Sequence, residues 1–286
     1  MISIPTSPQK PTDVVRTAVV AWAKSLKKIL PFAGLLTICM AAFQIYIYRP
    51  VVAYANATIE TVDFHNTVFY QWLIEPKASM ESLTPIIPPT IIYLLIVFLI
   101  NITMIYHFHQ IMQKNTPQFF DSFKVGFRKY IPFLAVFILY SLIVIIGYIC
   151  LILPGIYLVF ALMFAPYLLI TQNLRIIESI KQSWGLVKNN WWRTLGTLLL
   201  GILMQIVFLG IMLSIVFCIA LLVALVYQMI SHFIPASIVM FSDFALVILI
   251  SFLYCIAVAF LIFLILCMMY DLQIRKATAK TPSIQG

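Results

Sequence analysis

Two histidines, His107 and His109, close an apolar run and are the residues best suited to hold a metal or move a proton. Two residues apart on a helix, they point to different faces. No carboxylate or cysteine is spaced to complete a metal site with them, so anchoring at the membrane–water boundary is their expected role. His65, near Glu60 and Asp63, could hold a cation weakly, but solvated loop polarity is the plainer account. The five cysteines, Cys39, Cys150, Cys218, Cys255 and Cys267, lie in apolar runs without C-x-x-C spacing and read as small hydrophobes. No nucleophile sits beside a base, and no Gly-rich phosphate loop or H-E-x-x-H is present. No enzyme, cofactor or metal centre is expected.

The repeated chemistry is cationic. Lys27, Lys28, Lys124, Arg128, Lys129, Lys181, Lys188 and Arg193 stand beside apolar runs, with Trp191 and Trp192 next to the last of them. Each cation close to an anionic leaflet contributes about 1 kcal/mol, and tryptophan suits the headgroup level. Such a belt could serve only to fix topology and helix depth. The sharper expectation is that grooves between surface helices and transmembrane hairpins bind anionic phospholipid, because Lys124 and Lys181 recur on equivalent faces.

The elements that would position these residues follow from composition. With 63% hydrophobic and 9% charged residues, the chain cannot be a soluble globule. Its net charge of +9 does not point to nucleic acid, because the basic residues sit in short segments flanking apolar runs. The N-terminus lacks signal-peptide form, so the first span is expected to anchor the mature protein.

A loose tail over 1–12 precedes a helix from Val14 to Trp22, and six spans are expected at 29–48, 89–110, 131–150, 155–171, 194–227 and 244–270. The 44 residues 130–173 carry no formal charge; as helix they reach about 66 Å, two crossings. Pro154 and Gly155 form the natural turn between them. The fifth span is long, with Gly201 or Gly210 as kink sites, and an interfacial segment over 231–242 follows it. Residues 49–85 carry a short amphipathic helix on the opposite side. Asn101, Thr103, Ser141, Gln205 and Ser214 are the polar groups within the spans and are expected to join helices by hydrogen bonds. Sixteen Lys and Arg fall on one side of this arrangement and two, Arg49 and Lys77, on the other. That bias puts both termini in the cytoplasm and requires an even number of spans.

Residues 175–193 read as a basic amphipathic helix lying in the headgroup plane, with Ile176, Ile177, Ile180, Trp184 and Val187 on its apolar face and Glu178, Ser179, Lys181, Gln182 and Lys188 opposite. Residues 14–22 and 119–127 align with 176–184 without gaps. A hydroxyl comes fourth (Thr17, Ser122, Ser179), a small residue eighth (Ala21, Gly126, Ser183) and an aromatic ninth (Trp22, Phe127, Trp184). The expected fold is therefore an all-α integral membrane protein of three tandem units, each a cytosolic-face amphipathic helix plus a transmembrane hairpin.

LPGIYLVFALMFAPYLL at 153–169, S-x-x-L-V-K-N-N-W-W-R from Ser183, and YDLQIRK at 270–276 resemble the YciC-type (UPF0259) inner-membrane proteins. They are also similar to the integral-membrane domain attached to some bacterial glycerophosphodiester phosphodiesterases. The resemblance covers most of the chain from about residue 120 onward, and Gln273 stands where the family more often has Arg. It implies a six-span protein of the bacterial inner membrane and structural roles for Pro154, Gly155, Pro166, Asp271 and Arg275. Phosphodiesterase activity is not implied, the soluble catalytic domain being absent. The expected function is that of a non-enzymatic envelope protein, a lipid-interacting scaffold or partner of other membrane proteins. The alternative is a permease for a lipid or small uncharged molecule. Membrane phospholipids and other envelope membrane proteins are the expected partners.

Overall fold

In hydrocarbon a backbone N–H or C=O has no water to bond, so a long apolar run satisfies itself as helix. The computed structural model describes residues 7–44, 46, 87–230 and 236–280. Among these, the elements are α1 (Pro11–Lys24), α2 (Leu26–Phe43), α3 (Ile87–Met112), α4 (Phe119–Cys150), α5 (Ile152–Leu162), α6 (Ala165–Thr171), α7 (Ile176–Val187), α8 (Trp191–Ile230) and α9 (Ala236–Lys280). Six helical stretches are long and apolar enough to cross a membrane: α2, α3, α4, α5 with α6, most of α8 and most of α9. The expectations for 49–85, including the cation site at Glu60, Asp63 and His65, and for 231–235 fall outside the described residues.

The packed centre lies toward the Lys/Arg end. Phe32 of α2 is fully buried, with ring centroids 5.0 Å from His107, 6.1 Å from Phe108 and 4.8 Å from Phe119. Phe108 in turn stacks on Phe263 at 4.6 Å. One aromatic cluster thus ties α2, α3, α4 and α9. Away from it the helices present apolar side chains outward, as lipid permits. α8 buries only a seam that includes Thr194, Thr197, Gly201 and Gln205.

Several elements differ from their sequence expectation. α4 runs unbroken from Phe119 to Cys150, so the second basic stretch is the near end of a span rather than a separate surface helix. Arg128 and Lys129 do not stop it, since both are good helix formers; Lys129 donates sideways to Asn173 Oδ1. The hairpin reverses at Leu151, in extended conformation, and Pro154 and Gly155 already belong to the first turn of α5. Gly155 has no positive φ; it serves close packing, since a Cβ there would lie 2.9 Å from the backbone N of Tyr148. The fourth span is in two pieces, α5 and α6. Pro166 has no N–H to offer the Leu162 carbonyl, so the helix ends and restarts. Residues 236–242 open α9 instead of forming an interfacial segment.

α1 does not lie flat across the end of the bundle. Its residue Val14 shares a small gap with Thr194, Thr197 and Met268, while Trp22 reaches Phe208 and donates Nε1–H to the Ile256 carbonyl at 3.0 Å. Thr197 to Phe208 is about 16 Å of helix, so α1 leans along α8 and α9.

The inner face of α7 also differs. Ser179, Ser183, Leu186 and Val187 are buried, whereas Ile177 is 63% exposed and Trp184 also faces outward. Small residues let the helix approach its neighbours; larger apolar ones can face lipid at no loss. α1, α4 and α7 start alike, each after an extended residue (Lys10, Gln118, Arg175) and with an acid third (Asp13, Asp121, Glu178), favoured by the helix dipole. Counted from those starts, all three bury places four and eight: Val14 and Ala18, Ser122 and Gly126, Ser179 and Ser183. All three also expose a cation at place six: Arg16, Lys124 and Lys181. The first helix is therefore in register three residues earlier than its sequence alignment suggested.

Candidate functional site

The polar groups expected to join spans mostly bend back on their own helix. Asn101, Thr103 and Ser214 each donate to the carbonyl four residues earlier, the nearest acceptor available in an apolar setting. Gln205 makes no hydrogen bond among the described residues, and its Oε1 is buried without a partner.

The cross-helix bonds come from other residues. Ser183 donates to the Ala161 carbonyl at 2.8 Å, in the last turn of α5, where the Pro166 break leaves acceptors short of donors. Ser183→Ala is expected to lower stability by about 1 kcal/mol, read as thermal unfolding in detergent. Ser179→Ala should change little, since that hydroxyl only turns back to Ile176 O. Equal effects of the two substitutions would contradict this assignment.

His107 and His109 are buried among the helices. Ser122 gives its proton to the Gln118 carbonyl, so at 2.8 Å it accepts from His107 Nδ1–H. His109 Nδ1 pairs with the Tyr270 hydroxyl. The two rings thus fasten α3 to α4 and to α9. Among the described residues no group of three or more His, Cys, Asp or Glu could hold a metal ion.

The largest concentration of charge is at Asp271. Its carboxylate is buried and accepts from Arg193 Nη2 at 3.0 Å, Arg275 Nε at 3.0 Å and the Gln9 backbone N–H at 2.7 Å. Both guanidinium groups also donate to the Gln9 carbonyl. One carboxylate therefore gathers the start of the chain, the start of α8 and the end of α9, and Gln9 is held where the sequence suggested a loose tail. Arg193 is committed to this cluster. Because Gln9 and Arg275 meet there, the two described ends lie at the same end of the bundle.

The remaining expected residues divide by surroundings. Trp191 packs inward, against Tyr157 at 6.0 Å and Phe160 at 6.0 Å, with its Nε1 buried and unpartnered. Trp192 beside it is 78% exposed. Lys27, Lys28, Lys124, Arg128 and Lys188 are exposed and distributed around the same end. Lys181 lines an open groove of ≈ 630 Å³ between α7 and α9, which it shares with Lys276. Gln172, Gln182 and Gln273 supply amides to its wall and Glu178 an acid. Gln182 Nε2 donates to Gln172 Oε1 at 2.9 Å, and Gln273 Nε2 is buried without a partner. Sequence reasoning marked Gln273 only as a departure from a motif and missed Lys276 as a site residue, since only the fold brings α7 and α9 together. Two ammonium groups and several amides around one groove can bind a phosphate ester.

Residues 78–242, more than half of the chain, match the model of a family described as an uncharacterised protein family, UPF0259. No curated protein and no solved structure matches.

Proposed function

We propose that this chain, which belongs to the UPF0259 family, is a non-enzymatic protein of the bacterial inner membrane that binds anionic phospholipid headgroups at the basic end of its bundle. In this reading it acts as a scaffold for, or partner of, other envelope membrane proteins, with both termini in the cytoplasm. The observation that carries the proposal is the cleft between α7 and α9, where Lys181 and Lys276 stand beside the amides of Gln182 and Gln273. Three tandem units, begun by α1, α4 and α7, would spread the other exposed cations, Arg16 and Lys124 among them, around the same headgroup level. The likeness to the domain attached to some glycerophosphodiester phosphodiesterases is part of this proposal and rests on the three quoted motifs. A permease would need a path through the bundle. Instead, Phe32 packs on Phe108 and Phe108 on Phe263 at its centre, all three buried, which favours the scaffold.

Lipid mass spectrometry on gently purified protein tests the reading. Phosphatidylglycerol or cardiolipin should be enriched, and Lys181→Gln with Lys276→Gln should weaken binding about 30-fold, from about 1 kcal/mol per cation. No enrichment, or enrichment unchanged in the double variant, would sink it. Labelling that reaches Lys124 or Lys181 from the periplasm would overturn the orientation.

A further inference from the structure

Gln205 lies 12 residues beyond Arg193 on α8, about 18 Å from the charge cluster, near the middle of a bilayer core of about 30 Å. The residue is buried, at 8% exposure, and its Oε1 is buried without a partner. The residue lines a cavity of ≈ 80 Å³ between α1, α8 and α9, walled by Val19, Trp22, Met204, Phe208 and Phe260. Apart from Gln205 and the indole N–H of Trp22 the lining is apolar. The one other polar group in the wall, the Trp22 indole N–H, is engaged by the Ile256 carbonyl.

Water is a poor occupant. By volume the cavity would take two or three molecules at about 30 Å³ each, but an ordered buried water needs 2–4 polar partners, and only one amide is present. A purely apolar occupant would leave the amide unpaired, in a medium that offers no substitute. A single hydroxyl on an apolar body meets both conditions. It donates to Oε1, and a hydroxyl could equally accept from the amide were its two ends exchanged. Met204 forms the outer wall and is 46% exposed, so a hydrocarbon tail can leave past it toward lipid. Trp22–Phe208 at 5.2 Å and Trp22–Phe260 at 6.2 Å, both edge-to-face, hold the inner wall rigid.

We infer that this cavity is a binding site for an apolar molecule carrying one hydroxyl, a long-chain or isoprenoid-type alcohol, seated with its oxygen on Gln205 and its tail directed into the membrane. The site is separate from the basic cleft and does not depend on headgroup binding there.

The test uses the full chain in phosphatidylethanolamine/phosphatidylglycerol nanodiscs and two photoprobes, an octanol with a diazirine near its hydroxyl and the octane bearing the same diazirine. Adducts are mapped by peptide mass spectrometry. The alcohol should label Val19, Trp22 or residues 204–208 at least fivefold more than the octane, with excess octanol protecting. Gln205→Leu, which removes an unpartnered polar group and should not impair folding, should bring the alcohol down to the octane level. Val19→Phe fills the cavity while leaving Gln205 in place and should abolish labelling by both. Equal labelling by the two probes in the unmodified chain, alcohol labelling undiminished by Gln205→Leu, or adducts confined to other helices would each overturn the inference.

Discussion

Replacing Asp271 by Ala is expected to lower stability by about 3 kcal/mol, the lower end of what removing one partner from a buried charge cluster costs. The lower end applies because Arg193 and Arg275 keep 20% and 28% of their side-chain surface exposed, so water and headgroups partly compensate the guanidinium groups left behind. The variant leaves two like charges side by side and the Gln9 N–H without its acceptor. Asp271→Asn keeps an acceptor for Gln9 but loses the charge, and should fall between the two. Thermal unfolding in detergent gives the magnitude, and limited proteolysis gives the location. Residues of α1 should become cleavable in Asp271→Ala before the spans do. A variant as stable as the parent, with α1 still protected, would mean that the cluster is not what fastens the N-terminal helix.

The second large effect is expected at the hairpin between α4 and α5. A Cβ on Gly155 would lie 2.6 Å from the Tyr148 ring and 2.9 Å from its backbone N, and one on Gly147 would lie 3.2 Å from Gly155 Cα. The ring can swing aside, but the backbone cannot. Gly155→Val should therefore force the two helices apart, at about 3 kcal/mol, the upper end for overpacking. Gly155→Ala should cost less, because alanine recovers about 1 kcal/mol of helix propensity. Gly34 and Gly210 supply the contrast: nothing lies within 4 Å of a Cβ at either, so alanine there should be neutral or slightly stabilising. Unfolding midpoints of the four variants check the ordering. Gly155→Val no worse than Gly210→Ala would contradict the close approach.

The spans were legible because a run of about 20 apolar residues has one stable form in lipid. The basic segments were legible too: α7 starts one residue from its expected place, but it stops at Val187, and Trp191, Trp192 and Arg193 open α8 instead of closing α7. What failed was the face each helix turns inward. Around α7, counting apolar residues placed Ile177 and Trp184 inside and Ser179 outside. In water that rule works because outward apolar surface is unfavourable; beside lipid it is not, and small residues mark the contact instead. The break before α6 did have a signal in Pro166, which the 44-residue uncharged run concealed. Gly155 is legible as a position of special geometry, but that geometry is close contact rather than reversal. Asp271 drew attention only through a motif. Arg275 is a local partner, four residues on, but nothing local announces that the other two stand 78 and 262 residues away.

That last separation bears on how the molecule is made. Gln9 is synthesised ahead of α1, yet the carboxylate that holds it is 262 positions downstream. While the intervening helices are threaded, α1 lacks this anchor, and it gains it only when α9 has entered the membrane. Docking of α1 therefore waits on α9, and a nascent chain halted before Asp271 would keep α1 unfastened.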